Sequence, residues 1–546
     1  MKNKLIIAML ALGTLATSCT DAYDIVQKGE VNVDTDAFRT AADIVSGLNT
    51  VYSSIPVGTE IEFNSVFTDE IAIGLENGGQ GLLRGEYNFF MEPGSSYASN
   101  LWGSYYLMIN RLNRLEATAI KLLDATTNQN EKLDFKNALA EIYVLRAYAH
   151  YKLFSYFTPD YKNDKGESII ILDHVPPADY SYSLPRNNVK DVVDFIMADL
   201  KKATDSRSSW GTSSYYVNLN MINAIRAKLY AMVAKTPSDW QKVVDYSKDA
   251  LIGKRAIGQS EYQEMFKRDG SMGEFDESIF VMKSTLNTGP RPVSTWYTVR
   301  ASSDGSPIYE MGRSLYNELD NLDKGAPVGE YDFSKARNDV RYTVNLLPSG
   351  VFPDNKGTKV LLNYDTAPVS QYKGEDVLLI GKFRGLVGNN LANDVPLIRA
   401  SDILLTMAEA MVELNQPLGT VPVAIDPDDI VGNYSSVYNV LYTIRHQRSI
   451  DYSKINLVAP VSKQDAFNMI LKERRVELAF EGHRYLDMKR LGAKAGSEGF
   501  VRYSRDCEGL VSCSLPVTSH KMTLPIPQVE LNGNSKINSA DQNPGY

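Results

Sequence analysis

Apolar residues recur at helical spacing through most of the chain, and the stretches where that spacing fails are as informative as those where it holds. Residues 20–36 are polar, rich in Asp and Val and without helical period, so they read as an extended tether. The spacing predicts helices over 37–52, 101–124 (Leu107, Leu112, Leu115, Ile120, Leu123), 131–157 and 189–203, the third stopped by Thr158 and Pro159. A further pair is predicted at 218–234 and 238–252, with Ser238 and Gln241 as a capping box and Gly253 at the exit. Such helix-turn-helix units of about 34 residues have the size of a tetratricopeptide repeat. Residues 53–100, with glycines at 74, 78, 79, 81, 85 and 94, read as an irregular loop, and a loop that long is usually functional or disordered. Residues 255–390 carry few helical stripes and two strand-like runs, 278–283 and 376–383. Helical order returns at 396–414, 434–447 and 463–481, before a proline-punctuated tail at 524–546. The expected fold is mainly α, a tetratricopeptide-like helix-turn-helix scaffold with a large loop-rich insertion and minor β.

The N-terminus changes the picture of compartment. Lys2 and Lys4 precede an apolar run, Leu5 to Leu15, and small residues lead into Cys19. The run is too short for a membrane span, which takes roughly 20 apolar residues. It reads as a cleaved export signal with Cys19 lipidated; an ordinary secretory peptide with an incidental cysteine is the alternative. Removing residues 1–18 deletes two lysines and no acids, so the formal charge moves from −9 to −11. That balance gives no electrostatic basis for binding nucleic acid. At 43% hydrophobic and 23% charged, the remainder has the composition of a globular protein with ample core, and no second stretch suits a membrane. Cys507 and Cys513 either close a small loop, worth about 2 kcal/mol, or stay free. No metal site or cofactor is expected: His520 is one weak ligand, and Asp426, Asp428 and Asp429 lack the spacing of a calcium loop.

In the last long helix Phe467, Ile470, Leu471, Leu478 and Tyr485 share a face with Arg474. A guanidinium on an apolar stripe needs partners, and Glu477, Glu481, Arg484 and Asp487 follow at helical intervals, which predicts a structural ion-pair network rather than a catalytic group. Gly482 is placed to end or bend the helix. The segment Leu471-Lys-Glu-Arg-Arg-Val-Glu-Leu-Ala-Phe-Glu-Gly-His-Arg-Tyr-Leu-Asp-Met-Lys-Arg490 closely resembles the C-terminal signature of the SusD/RagB family of Bacteroidota nutrient-binding lipoproteins. Other segments agree in order: Leu145-Arg-Ala-Tyr-Ala-His-Tyr-Lys-Leu-Phe154, Asn223-Ala-Ile-Arg-Ala-Lys-Leu-Tyr230, Pro396-Leu-Ile-Arg-Ala-Ser-Asp-Ile-Leu-Leu-Thr-Met-Ala-Glu-Ala410, and the tail from Pro525-Ile-Pro-Gln528 to Gln542-Asn-Pro-Gly-Tyr546.

The resemblance implies an outward-facing lipoprotein of the outer membrane, a non-enzyme that caps a SusC-like TonB-dependent transporter like a lid and hands it oligosaccharides. Peptides are the alternative cargo, and a surface glycoside hydrolase is the less favoured reading, since no hydrolase motif appears. It divides the chain into a signal (1–18), a lipidated tether (19–36) and one domain (37–546): scaffold at about 37–254 and 396–492, insertion at about 255–395, tail at 493–546. Family ligands contact the loop near the first helix pair and the insertion. A sugar needs flat rings and fixed hydrogen-bonding groups, and here those stretches offer Asp69, Asn77, Tyr87 and Trp102, then Trp296, Tyr297, Arg300 and Tyr309, beside Glu76, Arg84, Phe89, Phe90 and Arg291. Trp296 and Tyr297 are the expected stacking platform with Arg300 supplying hydrogen bonds, core packing of Trp296 being the alternative. Trp102 reads more readily as core, and Trp210 and Trp240 as packing.

Overall fold

The computed structural model describes residues 38–74, 85–177, 179, 182–267, 274–284, 308–322, 337–347, 358–361, 364–368, 375–383, 385–386, 389–390, 393–419 and 434–546. Helices α1 (Ala41–Ser53) and α2 (Val57–Val66) lead to the short strand β1 (Ile71–Ile73). Next come the long helices α3 (Ser96–Ala125) and α4 (Gln129–Phe157), packed against each other across a short link. Helix α4 is enclosed on nearly all sides from Phe135 onward, which is why it shows little amphipathic stripe. It packs against α5 (Val189–Ser206) on another flank.

The repeat-like pair is α6 (Leu219–Val233) and α7 (Pro237–Ala250). Asn218 caps α6 by accepting from the Met221 amide. The capping box of α7 is not Ser238 with Gln241: Thr236 and Asp239 exchange the two bonds, and Pro237 takes the first helical position, where its missing N–H costs nothing. Trp240 is buried and Trp210 lies against Arg207, so both pack as expected.

After α8 (Gln259–Lys267), strand β2 (Ser278–Met282) matches the run anticipated at 278–283. The other anticipated run, 376–383, makes only isolated bridges, Lys359 with Val377 and Leu346 with Ile380. Strand β3 (Tyr309–Met311), α9 (Arg313–Asn321) and α10 (Val340–Asn345) follow. The helix expected over 396–414 is two elements, strand β4 (Val395–Arg399), paired antiparallel with β2, and helix α11 (Ala400–Glu413). Pro396 fits an edge strand, where a missing amide is tolerated. The last major helices are α12 (Val437–Arg448), α13 (Lys463–Glu477) and α14 (Arg484–Leu491). Helix α13 stops four residues earlier than its periodicity suggests because Phe480 and Gly482 take positive φ, 61° and 81°. Strands β5 (Gly499–Val501) and β6 (Ser514–Pro516) form a hairpin. The tail returns to the end of α4, where Asn543 donates to the Phe157 carbonyl at 2.8 Å.

The described stretches 53–74 and 85–100 carry more regular structure than expected. Helix α2 was invisible to periodicity because all but a few of its side chains are buried, leaving no polar face to alternate with the apolar one. The architecture is mainly α, with sheets of two strands each among the described residues, as expected. No helix among them is long and apolar enough to cross a membrane.

Candidate functional site

The charges of the signature segment meet a buried lattice. Strand pairing sets Arg399 opposite Ser278, and Arg399 reaches Glu277 (2.6 Å), Glu477 (2.6 Å) and Glu481 (2.7 Å). Arg448 of α12 bonds the same Glu277 (2.9 Å) and Glu477 (2.7 Å), and Arg341 of α10 adds Glu473 (2.6 Å), Glu477 (3.1 Å) and Asp339 (2.7 Å). Burial acts to raise the Glu477 carboxyl, but Arg448, Arg399 and Arg341 outweigh it and hold it well below the usual range. Arg474 binds Asp402 (2.7 Å) and Asp487 (2.8 Å). Each charge is paired, which is what makes this burial tolerable. The network therefore holds the fold together, as its register implied, although most of its partners lie on other elements.

One arm of the lattice fixes the start of a two-stranded ribbon. Arg484 grips Asp69 with two bonds, 2.7 and 2.8 Å, and Arg475 lies 3.3 Å away. Burial alone would raise Asp69; Arg475 and Arg484 bring it down to about 2. Its neighbour Glu70 accepts from the Ser65 hydroxyl (2.9 Å) and the Phe480 amide (3.2 Å), yet burial pushes it up to about 7. A raised carboxyl favours the folded state below its ordinary pKa and loses that contribution as pH rises through its folded value. Glu70→Gln is therefore expected to flatten the decline in stability between about pH 4.5 and 7 that this group causes, read from denaturant midpoints across that range.

From Asp69 and Glu70 the chain enters β1, which pairs antiparallel with β3: Ile71 with Met311, Ala72 with Glu310, Ile73 with Tyr309. The Gly74 amide then donates to the Ile308 carbonyl at 2.9 Å. The ribbon thus sets side by side the roots of two segments, 75–84 and 285–307, far apart in the chain. These are the segments that hold Asn77 and the triplet Trp296, Tyr297 and Arg300, and those four lie outside the described residues. At the far root of 75–84, Gly85 takes φ +81°, which a Cβ would clash with, and the turn ends in Phe90, 47% exposed.

The described candidates occupy different positions from those expected of ligand contacts. Tyr87 is buried beneath Arg502, whose guanidinium lies 3.8 Å from the ring centroid, and its hydroxyl donates to the Asp506 carbonyl at 3.2 Å. Trp102 is buried between Tyr106 and Phe157 and donates to Glu530 at 3.0 Å. Tyr309 is buried in the ribbon, and Asp69 is enclosed by its arginines. Asp69, Tyr87 and Tyr309 are corrected from ligand contacts to fold residues, and Trp102 takes its core reading rather than that of a ligand contact: their rings and carboxylate are already covered by protein, so no face is open to a sugar. What surrounds the ribbon instead includes Arg313, Tyr364, Tyr503 and Asp506. Asp506 accepts from the Arg313 amide and the Tyr364 hydroxyl, both at 2.8 Å, and burial raises it to about 6. Sequence reasoning passed over them because they are single polar residues in stretches without period; for Tyr503 and Asp506 the neighbouring Cys507 was an available signal, and for Arg313 and Tyr364 there was none. Cys507 and Cys513 are bonded, with Cα atoms 5.5 Å apart. Among the described residues no group of His, Cys, Asp and Glu is arranged to hold a metal; Cys19 and the aspartates at 426, 428 and 429 lie outside them.

Comparison with known proteins agrees with this architecture. Residues 350–546 match the SusD family model, and residues 24–230 match a model described as starch-binding associating with outer membrane. SusD-like protein P2 of Formosa agariphila is 22% identical over 528 residues, covering 93% of each chain. A SusD superfamily protein of Bacteroides thetaiotaomicron superposes with TM-score 0.67 at 21% identity, over 92% of this chain and all of the other. A SusD-like carbohydrate binding protein of Bacteroides vulgatus does so with TM-score 0.63 at 16% identity, over 92% and 98%. With matches at both ends and one fold across nearly its whole length, the chain belongs to the SusD/RagB family.

Proposed function

We propose that the protein is a non-catalytic lipoprotein of the cell surface that binds oligosaccharides and delivers them to a SusC-like TonB-dependent transporter, over which it acts as a lid. The observation that carries this reading is the β1–β3 ribbon, which roots the segment holding Asn77 beside the one holding Trp296, Tyr297 and Arg300. Two aromatic rings and a guanidinium from one segment, with an amide from the other, supply the stacking and hydrogen-bonding groups that a pyranose needs. The described carboxylates nearby are committed to the fold, Asp69 to Arg484 and Asp376 to Arg313, which favours binding over hydrolysis. Trp296→Ala is expected to weaken oligosaccharide binding about ten-fold, roughly 1.4 kcal/mol, with the thermal midpoint nearly unchanged. An equal loss of stability would reassign Trp296 to the core.

In this reading residues 1–18 direct export, Cys19 carries the lipid and 20–36 form the leash. Cys19→Ala is expected to yield a folded, ligand-competent protein released from the cell surface, with uptake lost, measured by fractionation and growth on the oligosaccharide. Uptake that survives this change contradicts the anchor.

A further inference from the structure

The segment 503–513 touches the fold at three separate places, one in the loop before α3 and two within the insertion. Toward the first, the Tyr87 hydroxyl donates to the Asp506 carbonyl (3.2 Å), and the Val511 amide donates to Asn88 (3.2 Å), fixing the turn that follows residue 84. Toward the second, the Asp506 carboxylate takes the Arg313 amide (2.8 Å), just past β3. Toward the third, the Tyr364 hydroxyl donates to Asp506 (2.8 Å), Tyr503 bonds Asp365, and Arg505 donates to the carbonyls of Asp365 and Ala367. The rings of Tyr364 and Tyr503 also meet at 5.7 Å. Between these anchors the chain has no regular element longer than the single turn Ser504–Cys507, so backbone hydrogen bonding alone does little to keep it in place.

The Cys507–Cys513 bond supplies that restraint. It closes the stretch from the residue after Asp506 to one just before β6, whose hairpin partner β5 leads into Arg502. Arg502 is itself fixed to the carbonyls of Val66 (3.0 Å) and Thr68 (2.8 Å). The covalent loop thus ties these three places to the rigid body. Val511 at its tip is 93% exposed, so the loop is open to solvent.

We propose that the disulfide-closed loop is a positioning clamp: Cys507–Cys513 holds residues 85–90, 308–313 and 364–368 in one arrangement, and so sets the affinity of the oligosaccharide site, whose two segments end at the first two of these. The link to affinity rests on the function proposed above; the clamp itself does not. Reduction takes two electrons from an external dithiol, which is oxidised to its own disulfide as the two cysteines become thiols.

The test compares the mature chain with its Cys507→Ser/Cys513→Ser variant by hydrogen exchange, and titrates both with a panel of neutral oligosaccharides. Exchange is expected to rise at least ten-fold at 85–90, 308–313 and 364–368 while α4 and α11 are unchanged, and affinity to fall at least five-fold. Arg505→Ala, which keeps the disulfide, is expected to raise exchange at 364–368 only. Exchange changes confined to 507–513 overturn the clamp. Raised exchange at these places with unchanged affinity overturns its role in binding. A wild type that binds no member of the panel counts against the proposed function, and the exchange pattern still decides the clamp.

Discussion

Glu477→Gln is expected to be the most damaging single change in the protein, lowering stability by about 3–5 kcal/mol. The carboxylate is fully enclosed and accepts from Arg341, Arg399 and Arg448, three guanidiniums carried by three different elements. Glutamine keeps the shape and removes the charge, so these arginines must share Asp339, Glu277, Glu473 and Glu481 in a medium of low dielectric. Breaking a buried pair costs more than the pair contributed, because the survivor stays buried without compensation. In a protein of this size a loss of that order lowers the midpoint by roughly 3–5 °C. The Lys472→Ala change, at an exposed position about one and a half turns from Glu477, is expected to leave the midpoint within about 1 °C, and thermal melts of the two variants side by side distinguish loss of the network from general sensitivity of α13.

Asp69→Asn is expected to follow at about 2–4 kcal/mol. Here the consequence is local as well as global, since Asp69 immediately precedes the ribbon and receives both Arg484 and Arg475. Its carboxyl is held at about 2, below the ordinary 3.8, so its contribution to stability is present above pH 3.8 and disappears as pH falls toward 2. The wild type should therefore lose stability through that window, and the asparagine variant should show a shallower slope there. Denaturant midpoints between pH 2 and 5 provide the check. The opposite signs of Asp69 and Glu70, neighbours in the chain, come from geometry: Asp69 is bonded directly by Arg484 with Arg475 beside it, whereas the hydrogen bonds to Glu70 come from a hydroxyl and an amide, and the weaker pull of Arg484 on it does not outweigh its burial.

The signature charges illustrate how far sequence alone reaches. Arg474 on an apolar face announced a buried network, and the helices around it are found close to where their periodicity put them. The identity of the partners was not legible, because Arg341, Arg399 and Arg448 come from elements brought in by tertiary packing. Helix α2 was hidden by being buried all round, and β4 by a proline-led apolar run that fits either a strand or the first turn of a helix. At the candidate site the same limit applied differently. Tyr87 and Tyr309 sit in polar, aperiodic surroundings in the sequence, yet the β1–β3 pairing and the return of the segment after the C-terminal hairpin's first strand enclose them. Aromatics in an irregular stretch look alike whether they face solvent or a distant segment, and only the fold distinguishes them.

The central question is what the two segments rooted in the ribbon hold. Calorimetric titration of residues 20–546, first with oligosaccharides selected from a glycan array and then with a matched set of peptides, addresses this most directly. Saturable heat with an oligosaccharide, no heat with the peptides and no release of reducing ends is the predicted result. Saturable binding of peptides alone, or reducing ends whose release is abolished by a single Asp or Glu substitution, would contradict it.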